Sequence, residues 1–202
     1  MVKHWRHRLR MGAVACVLGA FAGAVGACSP VGLVVDAAGI VAEDRSTVDQ
    51  TRDTDIRLSL NRAMLEADSK IFSAIGIQVW EGRVVLTGAV TNPAYRDRAV
   101  AIAKGIPNVK TVLNEIQVVA DEGGLAAFAT DTLIEERLKA RLLLADGVQS
   151  VNYSIHAVNG VVYLLGVAHS QEEMDLVLSE ARRIDSVKRV VNHVRVRPKR
   201  GS

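Results

Sequence analysis

Five histidines, two cysteines and 22 carboxylates are the first side chains of this 202-residue chain to weigh for acid–base, nucleophilic or metal chemistry. Their spacing favours none of the three. His4 and His7 fall in the first ten residues, while His156, His169 and His193 are scattered over an expected strand, a loop and a strand with no cysteine beside them. No metal-ligand spacing, glycine-rich phosphate loop or Gly-x-Ser-x-Gly elbow occurs. Asp53 and Asp131 each stand before a threonine and an apolar helical stripe, so they read as helix N-caps rather than catalytic acids. No catalytic residue, cofactor or metal is expected, and the chain reads as a non-enzyme. Cys28 is different in context. It closes an apolar, small-residue run over 11–27 that follows Lys3, Arg6, Arg8 and Arg10, the pattern of a secretion signal.

The three residues before that cysteine, Val25-Gly26-Ala27, resemble the bacterial lipobox. The resemblance implies cleavage before Cys28 and acylation of its thiol; an uncleaved anchor, or ordinary cleavage leaving a free thiol, is the competing reading. Cys16 would leave with the leader, so the mature chain has no partner for a disulfide, and Cys28 is left for a use other than redox chemistry. Two or three acyl chains make such an attachment effectively stable, where one chain gives only marginal binding. Ser29, in place of an aspartate, is similar to the outer-membrane-sorted kind of lipoprotein.

The formal charge of +3 also depends on the leader. Without its four cations, 21 basic side chains face 22 acidic ones, a net charge near −1. Bulk attraction to nucleic acid is therefore unsupported.

The chain repeats itself. Residues Asp53–Val118 align without a gap on Asp131–Val196 at an offset of 78, with 20 identities, which makes each copy one folding unit. Both contain a hairpin: Ile75, Ile77 and Val79, a turn at Glu81-Gly82, then Val84, Leu86 and Gly88; and Asn159-Gly160 followed by Val162, Leu164 and Gly166. Asn-Gly tolerates the two positive φ angles of a type I′ turn. Gly82, Gly88, Gly160 and Gly166 are thus the glycines expected to shape the backbone. The first helix of each copy buries Ile56, Leu60, Met64 and Ala67, or Ile134, Leu138, Leu142 and Ala145. Thr132 and Glu135 have the spacing of a capping box. Asn92-Pro93 opens a second helix, with Ala99, Ile102, Ala103 and Ile106 inward, and Val109–Val118 forms a last strand. The expected fold class is α+β, two tandem αββαβ domains, each a small three-stranded sheet packed on two helices. The expected division is a signal peptide at 1–27, a lipidated N-terminus and tether at 28–52, a first domain at 53–119, a linker at 120–129, a second domain at 130–197 and a basic tail at 198–202.

The two Gly-x-Val-x-Leu-x-Gly hairpins, Gly82–Gly88 and Gly160–Gly166, and the endings Val109–Ile116 and Val187–Val194 resemble tandem BON domains. With Cys28 and the Asp44-Arg45-Ser46-Thr47 run, the chain is similar to the dual-BON outer-membrane lipoproteins of the DolP (YraP) kind, and more distantly to soluble periplasmic proteins of the OsmY kind. That resemblance implies a lipid anchor on the periplasmic face of the outer membrane and binding of anionic, phosphatidylglycerol-like phospholipid through the second BON domain. It also implies support of envelope integrity and of outer-membrane protein assembly, with the assembly machinery as a partner. It places lipid contact on the first helix of the second domain, where the family has an aromatic after the Asp-Thr pair and this chain has Leu133.

The duplication supplies a separate argument. Positions that pack a core should match between copies, while a surface used by one copy should diverge. Leu133, Arg137, Ala140, Arg141 and Leu144 replace Asp55, Ser59, Arg62, Ala63 and Glu66. An apolar flank with arginines suits an anionic bilayer; packing of Leu133 and Leu144 on the other copy is the plainer alternative. The candidate phospholipid-binding residues are Leu133, Arg137, Arg141 and Leu144, and the competing function is a protein-interaction adaptor or chaperone-like periplasmic stress protein. Trp80 and Tyr163 are expected in core or interdomain packing.

Overall fold

The computed structural model describes residues 43–121 and 124–198. Cys28, the leader and 199–202 lie outside them.

The first copy runs α1 (Thr47–Ala67), α2 (Ser69–Ala74), β1 (Ile75–Trp80), β2 (Arg83–Val90), α3 (Pro93–Gly105), β3 (Thr111–Asn114) and β4 (Gln117–Val118). The second runs α4 (Gly124–Leu144), a 3-10 turn (Ser150–Asn152), β5 (Tyr153–Val158), β6 (Val161–Ala168), α5 (Gln171–Arg182) and β7 (Arg189–Val196). In each sheet the central strand, β2 or β6, pairs antiparallel with the strand before it and parallel with the strand after the helix. This is the expected α+β pair of αββαβ units, except that the last strand expected over 109–118 is broken into β3 and β4, both paired with β2, so the first sheet has four strands rather than three.

The two copies part company after their first helix. Asp68 caps α2 by accepting from the Lys70 amide at 2.8 Å, so a further helical turn follows. In the second copy Asp146 is followed by Gly147 at φ +81°, which ends the helix, and only the short 3-10 turn leads into β5.

Alternate residues of each strand face alternate layers. Val84, Leu86 and Val90 join Ile56, Leu60, Met64, Ala99 and Ala103 under the helices. Val162, Leu164 and Ala168 do the same with Ile134, Leu138, Leu142, Val177 and Ala181. The opposite faces of the two sheets meet each other, with Trp80 and Val85 from the first against Leu165 and Val167 from the second. Two sheets packed back to back, each covered by its own helices, form a four-layer sandwich. Polar contacts rim the seam: the Arg83 guanidinium donates to the His193 carbonyl at 2.7 Å, His193 Nε2 lies 2.9 Å from Glu115, and Gln78 donates to Ser154 at 3.0 Å. The interdomain packing expected of Trp80 and Tyr163 is present: both are buried, and Tyr163 Oη accepts from Gln117 and donates to the Glu115 carbonyl of the first copy.

Three local expectations require correction. Asp53 and Asp131 are not N-caps; α1 and α4 begin well upstream, at Thr47 and Gly124. Their carboxylates reach across to the hairpin turns instead. Asp53 accepts from the Glu81 and Gly82 amides at 2.6 and 2.8 Å, and Asp131 from the Asn159 and Gly160 amides at 2.6 and 2.8 Å. Those turns hold positive φ at both residues, 51° and 77° in one and 53° and 79° in the other, so their amides point away from the sheet and toward the helix. The true N-cap of α1 is Ser46, which accepts from the Asp49 amide. Nor is there a capping box at Thr132 and Glu135: Thr132 donates to the Phe128 carbonyl within α4, and Glu135 accepts from the Ala157 amide on β5.

Gly88 and Gly166 lie within β2 and β6 at φ 132° and 151°, where a Cβ would overlap the carbonyl oxygen of Ala74 or Asn152. Each marks the point where the chain entering the hairpin crosses the central strand.

Candidate functional site

Helix α4 carries the residues singled out above. Its inward stripe, Asp131, Ile134, Leu138 and Leu142, is buried, and this fixes which way the rest point. Leu133 is 56% exposed and Leu144 83%; neither packs under the first copy. Arg137 is exposed and makes no ion pair among the described residues. Arg141 reaches α5, where Glu180 accepts from it at 3.2 Å and from Arg183 at 2.6 Å. Two guanidiniums share one carboxylate, so the cluster keeps a net positive charge and spare N–H donors. Leu133, Arg137, Arg141 and Leu144 therefore share one open helix flank.

The rest of α4 is neutralised or committed. Lys139 pairs with Glu136 at 2.8 Å. Glu135 is half-buried beside His156; burial pushes its carboxyl up, but the hydrogen bonds from His156 and the Ala157 amide outweigh that and hold it below the usual range. This pair lines a 420 Å³ cleft between α4, β5 and the first copy, together with Phe128 and Gly76.

Sequence reasoning missed three exposed apolar residues of this region: Phe128, Leu143 and Val151. Phe128 was assigned to a linker that is helical from Gly124. Leu143 is identical to its counterpart Leu65, so a search for divergence passes over it. Val151 sits on the 3-10 turn that packs against α4.

Where the 3-10 turn enters β5, a polar network holds the segment before α1. The Asp44 amide donates to Asn152 Oδ1 and the Asn152 amide group donates back to the Asp44 carboxylate, each at 2.9 Å. His169 joins Asp44 to Glu173, and Glu173 also accepts from the Tyr153 hydroxyl at 2.8 Å. Burial, then Glu173, pushes the Tyr153 phenol far up. Arg45 turns toward the first copy, pairing with Asp53 at 2.7 Å and lying 4.1 Å above the Trp80 ring.

Among the described residues no group of three or more histidine, cysteine, aspartate or glutamate side chains could hold a metal ion, and no helix is long and apolar enough to cross a membrane.

The fold defines a tandem repeat of two α+β units packed through their sheets. Matches to the BON domain model cover residues 52–120 and 130–198; the chain belongs to the BON domain family. It is 42% identical over 145 residues to an uncharacterized protein in the gshII 5′ region of Anaplasma centrale, covering 72% of this chain and 95% of that one. It is 32% identical to osmotically-inducible protein Y of Escherichia coli, covering 72% and 73%. To the outer membrane lipoprotein DolP of Haemophilus influenzae it is 28% identical, covering 77% and 80%.

Proposed function

We propose that this chain is a non-enzymatic, lipid-anchored protein of the bacterial envelope that recognises anionic phospholipid through α4 of its second BON domain. Acylated Cys28 holds it to the periplasmic face of the outer membrane, where it supports membrane integrity and outer-membrane protein assembly. Relatedness to an outer membrane lipoprotein supports the location. The observation that carries the lipid reading is the open flank of α4, in which Leu133 and Leu144 are exposed beside Arg137 and the Arg141–Glu180–Arg183 cluster. Apolar side chains partition into the headgroup boundary while each arginine near phosphate contributes about 1 kcal/mol. Tethering and patch recognition reinforce each other, because an anchored patch meets the membrane at high effective concentration.

A second reading has its own observation. On α1 of the first copy Leu58 and Leu65 are 64% and 53% exposed, seven residues apart on the face away from the core, which suits an adaptor or chaperone-like module that docks another envelope protein.

Residues 29–202 retain the whole described fold, so this fragment, free of acyl chains, tests the first reading on vesicles with and without phosphatidylglycerol. Binding should require the anionic lipid. The pair Arg137→Glu with Leu144→Glu removes an attractive charge, adds two repulsive ones and deletes an apolar anchor, a loss of about 4 kcal/mol or roughly 10³ in affinity. Binding indifferent to phosphatidylglycerol, or to these substitutions, overturns the lipid reading and leaves the adaptor.

A further inference from the structure

The rim of the sheet-to-sheet seam pairs opposite groups except at one step. Along β7 and just past it, His193, Arg195 and Arg197 project toward the first copy, since Leu165 and Val167, the β6 partners of the first two, lie in the seam. The first copy offers them Glu115, Arg83 and Glu81. The outer steps are satisfied, His193 with Glu115 at 2.9 Å and Arg197 with Glu81 at 2.7 Å. At the middle step arginine stands beside arginine.

Arg83 is the more confined of the two. It is 7% exposed, and its Nη2 donates to the His193 carbonyl at 2.7 Å. Its Nε and Nη1 are buried with no acceptor among the described residues, and so is Nε1 of Trp80, its cross-strand neighbour. Buried N–H groups nearly always find an acceptor, and a buried guanidinium without a counter-charge is costly. Burial, then the charge of Arg195, pushes the Arg83 pKa down, and Glu81 offsets this only in part. Arg195 itself is exposed and makes no ion pair among the described residues.

The seam does not need these two cations. It is nearly two-fold, since Glu115 and His193, which face each other, are equivalent positions of the two copies at the offset of 78. At the same offset Arg83 and Arg195 correspond to Val161 and Gln117. There the rim is neutral and closed: Gln117 donates to Tyr163 Oη at 3.0 Å and to the Val158 carbonyl at 3.1 Å. Nor do nearby acids answer the arginines. Asp44 and Asp49 line a separate 380 Å³ pocket with Glu81 and Arg197, and neither Arg83 nor Arg195 reaches it.

We propose that Arg83 and Arg195 form an oxyanion site on the seam, taking one phosphate group between the buried guanidinium of Arg83 and the exposed one of Arg195. Guanidinium N–H donors match phosphate oxygens in geometry and charge. The oxygens supply the acceptors that Arg83 lacks, and the negative charge turns the repulsion between the two arginines into a bridge. The group arrives either as free phosphate or as a lipid headgroup. The site stands apart from α4 and holds whether or not that helix binds lipid.

Trp80 is the only tryptophan of 29–202, so its indole N–H gives one signal in a nitrogen–proton correlation spectrum and reports on its cross-strand neighbour Arg83. Inorganic phosphate is titrated into that fragment at constant ionic strength, which holds the screening of surface charge fixed. The indole signal should shift saturably. Arg195→Ala should weaken phosphate about 10-fold and Arg195→Glu about 100-fold, from the charged hydrogen bonds lost and the repulsion added. Arg98→Glu, the same charge change at an exposed arginine of α3, should leave the titration as in wild type. Phosphatidylglycerol vesicles form the second arm. Vesicle binding about 10-fold weaker in Arg195→Glu than in Arg98→Glu assigns the group to a lipid headgroup; equal binding by the two, or binding by neither, assigns it to free phosphate. An indole signal that phosphate does not move, or that moves alike in wild type and Arg195→Glu, overturns the site and leaves the lipid reading of α4 standing. Loss of phosphatidylglycerol-dependent binding with the phosphate titration intact overturns only the lipid reading.

Discussion

Asp131→Ala separates a helix cap from a cross-brace by magnitude alone. An N-cap aspartate replaced by alanine costs about 1 kcal/mol. Here the carboxylate is buried and accepts two backbone amides, from Asn159 at 2.6 Å and Gly160 at 2.8 Å. Each is a hydrogen bond to a charged group worth about 1.5–3 kcal/mol, and alanine leaves both amides without their acceptor in a tight turn. Partial access of water to the turn trims the sum, and we expect a loss of about 3–5 kcal/mol. At about 2–4 °C per kcal/mol for a body of this size, that lowers Tm by roughly 6–20 °C. Urea unfolding of 29–202, followed by far-ultraviolet circular dichroism, measures it against the wild type. Asp131→Asn should recover part of the loss, because the amide oxygen still accepts one of the two bonds. A loss near 1 kcal/mol for alanine, with no difference between alanine and asparagine, would refute the brace.

Gly166→Ala should be more damaging than Gly147→Ala, since a Cβ at 166 overlaps the Asn152 carbonyl whereas nothing lies near one at 147; both share positive φ, so comparing their soluble yields and Tm values isolates the overlap. Glu135 has its carboxyl held down in the folded state. The folded protein therefore binds fewer protons there than the unfolded chain, and the stabilisation is present above the ordinary value of 4.5 and fades as pH falls through the lower folded value. Thermal unfolding between pH 6 and pH 3 should show Glu135→Gln destabilised relative to wild type at the upper end and level with it at the lower; a gap that widens on acidification refutes the sign. Arg45→Ala removes the cation above Trp80 and the Asp53 ion pair, and should cost about 1–3 kcal/mol and shift Trp80 emission to longer wavelength as water reaches the ring.

The parts of the fold that could be read in advance are those that rest on period. Ile56, Leu60 and Met64, or Ile134, Leu138 and Leu142, repeat at helical spacing because a helix buries one stripe, and both stripes lie where expected. The double hairpin was legible because Asn159-Gly160 suits two consecutive positive φ angles. What escaped was non-local. A cap and a brace use the same residue type beside the same apolar run, and only the position of the turn 28 residues on tells Asp131 which it is. The start of α4 was obscured by Gly123-Gly124, although Ala126, Ala127 and Ala129 are strong helix formers. At the surface, comparing copies found Leu133, Arg137, Arg141 and Leu144 because they diverge, yet the same test blurs two causes of divergence. Tyr163 replaces Val85 and Leu165 replaces Thr87, but these changes serve the sheet-to-sheet seam. Leu143 escaped for the opposite reason, being shared by both copies.

The back-to-back sheets bear on why there are two copies at all. Severed at the connection, either half would bare a greasy strand surface, Trp80 and Val85 on one and Tyr163, Leu165 and Val167 on the other, and would stick to whatever it met. Neither module is a spare. Each sheet covers the apolar back of the other, so the two copies are one folding problem rather than two.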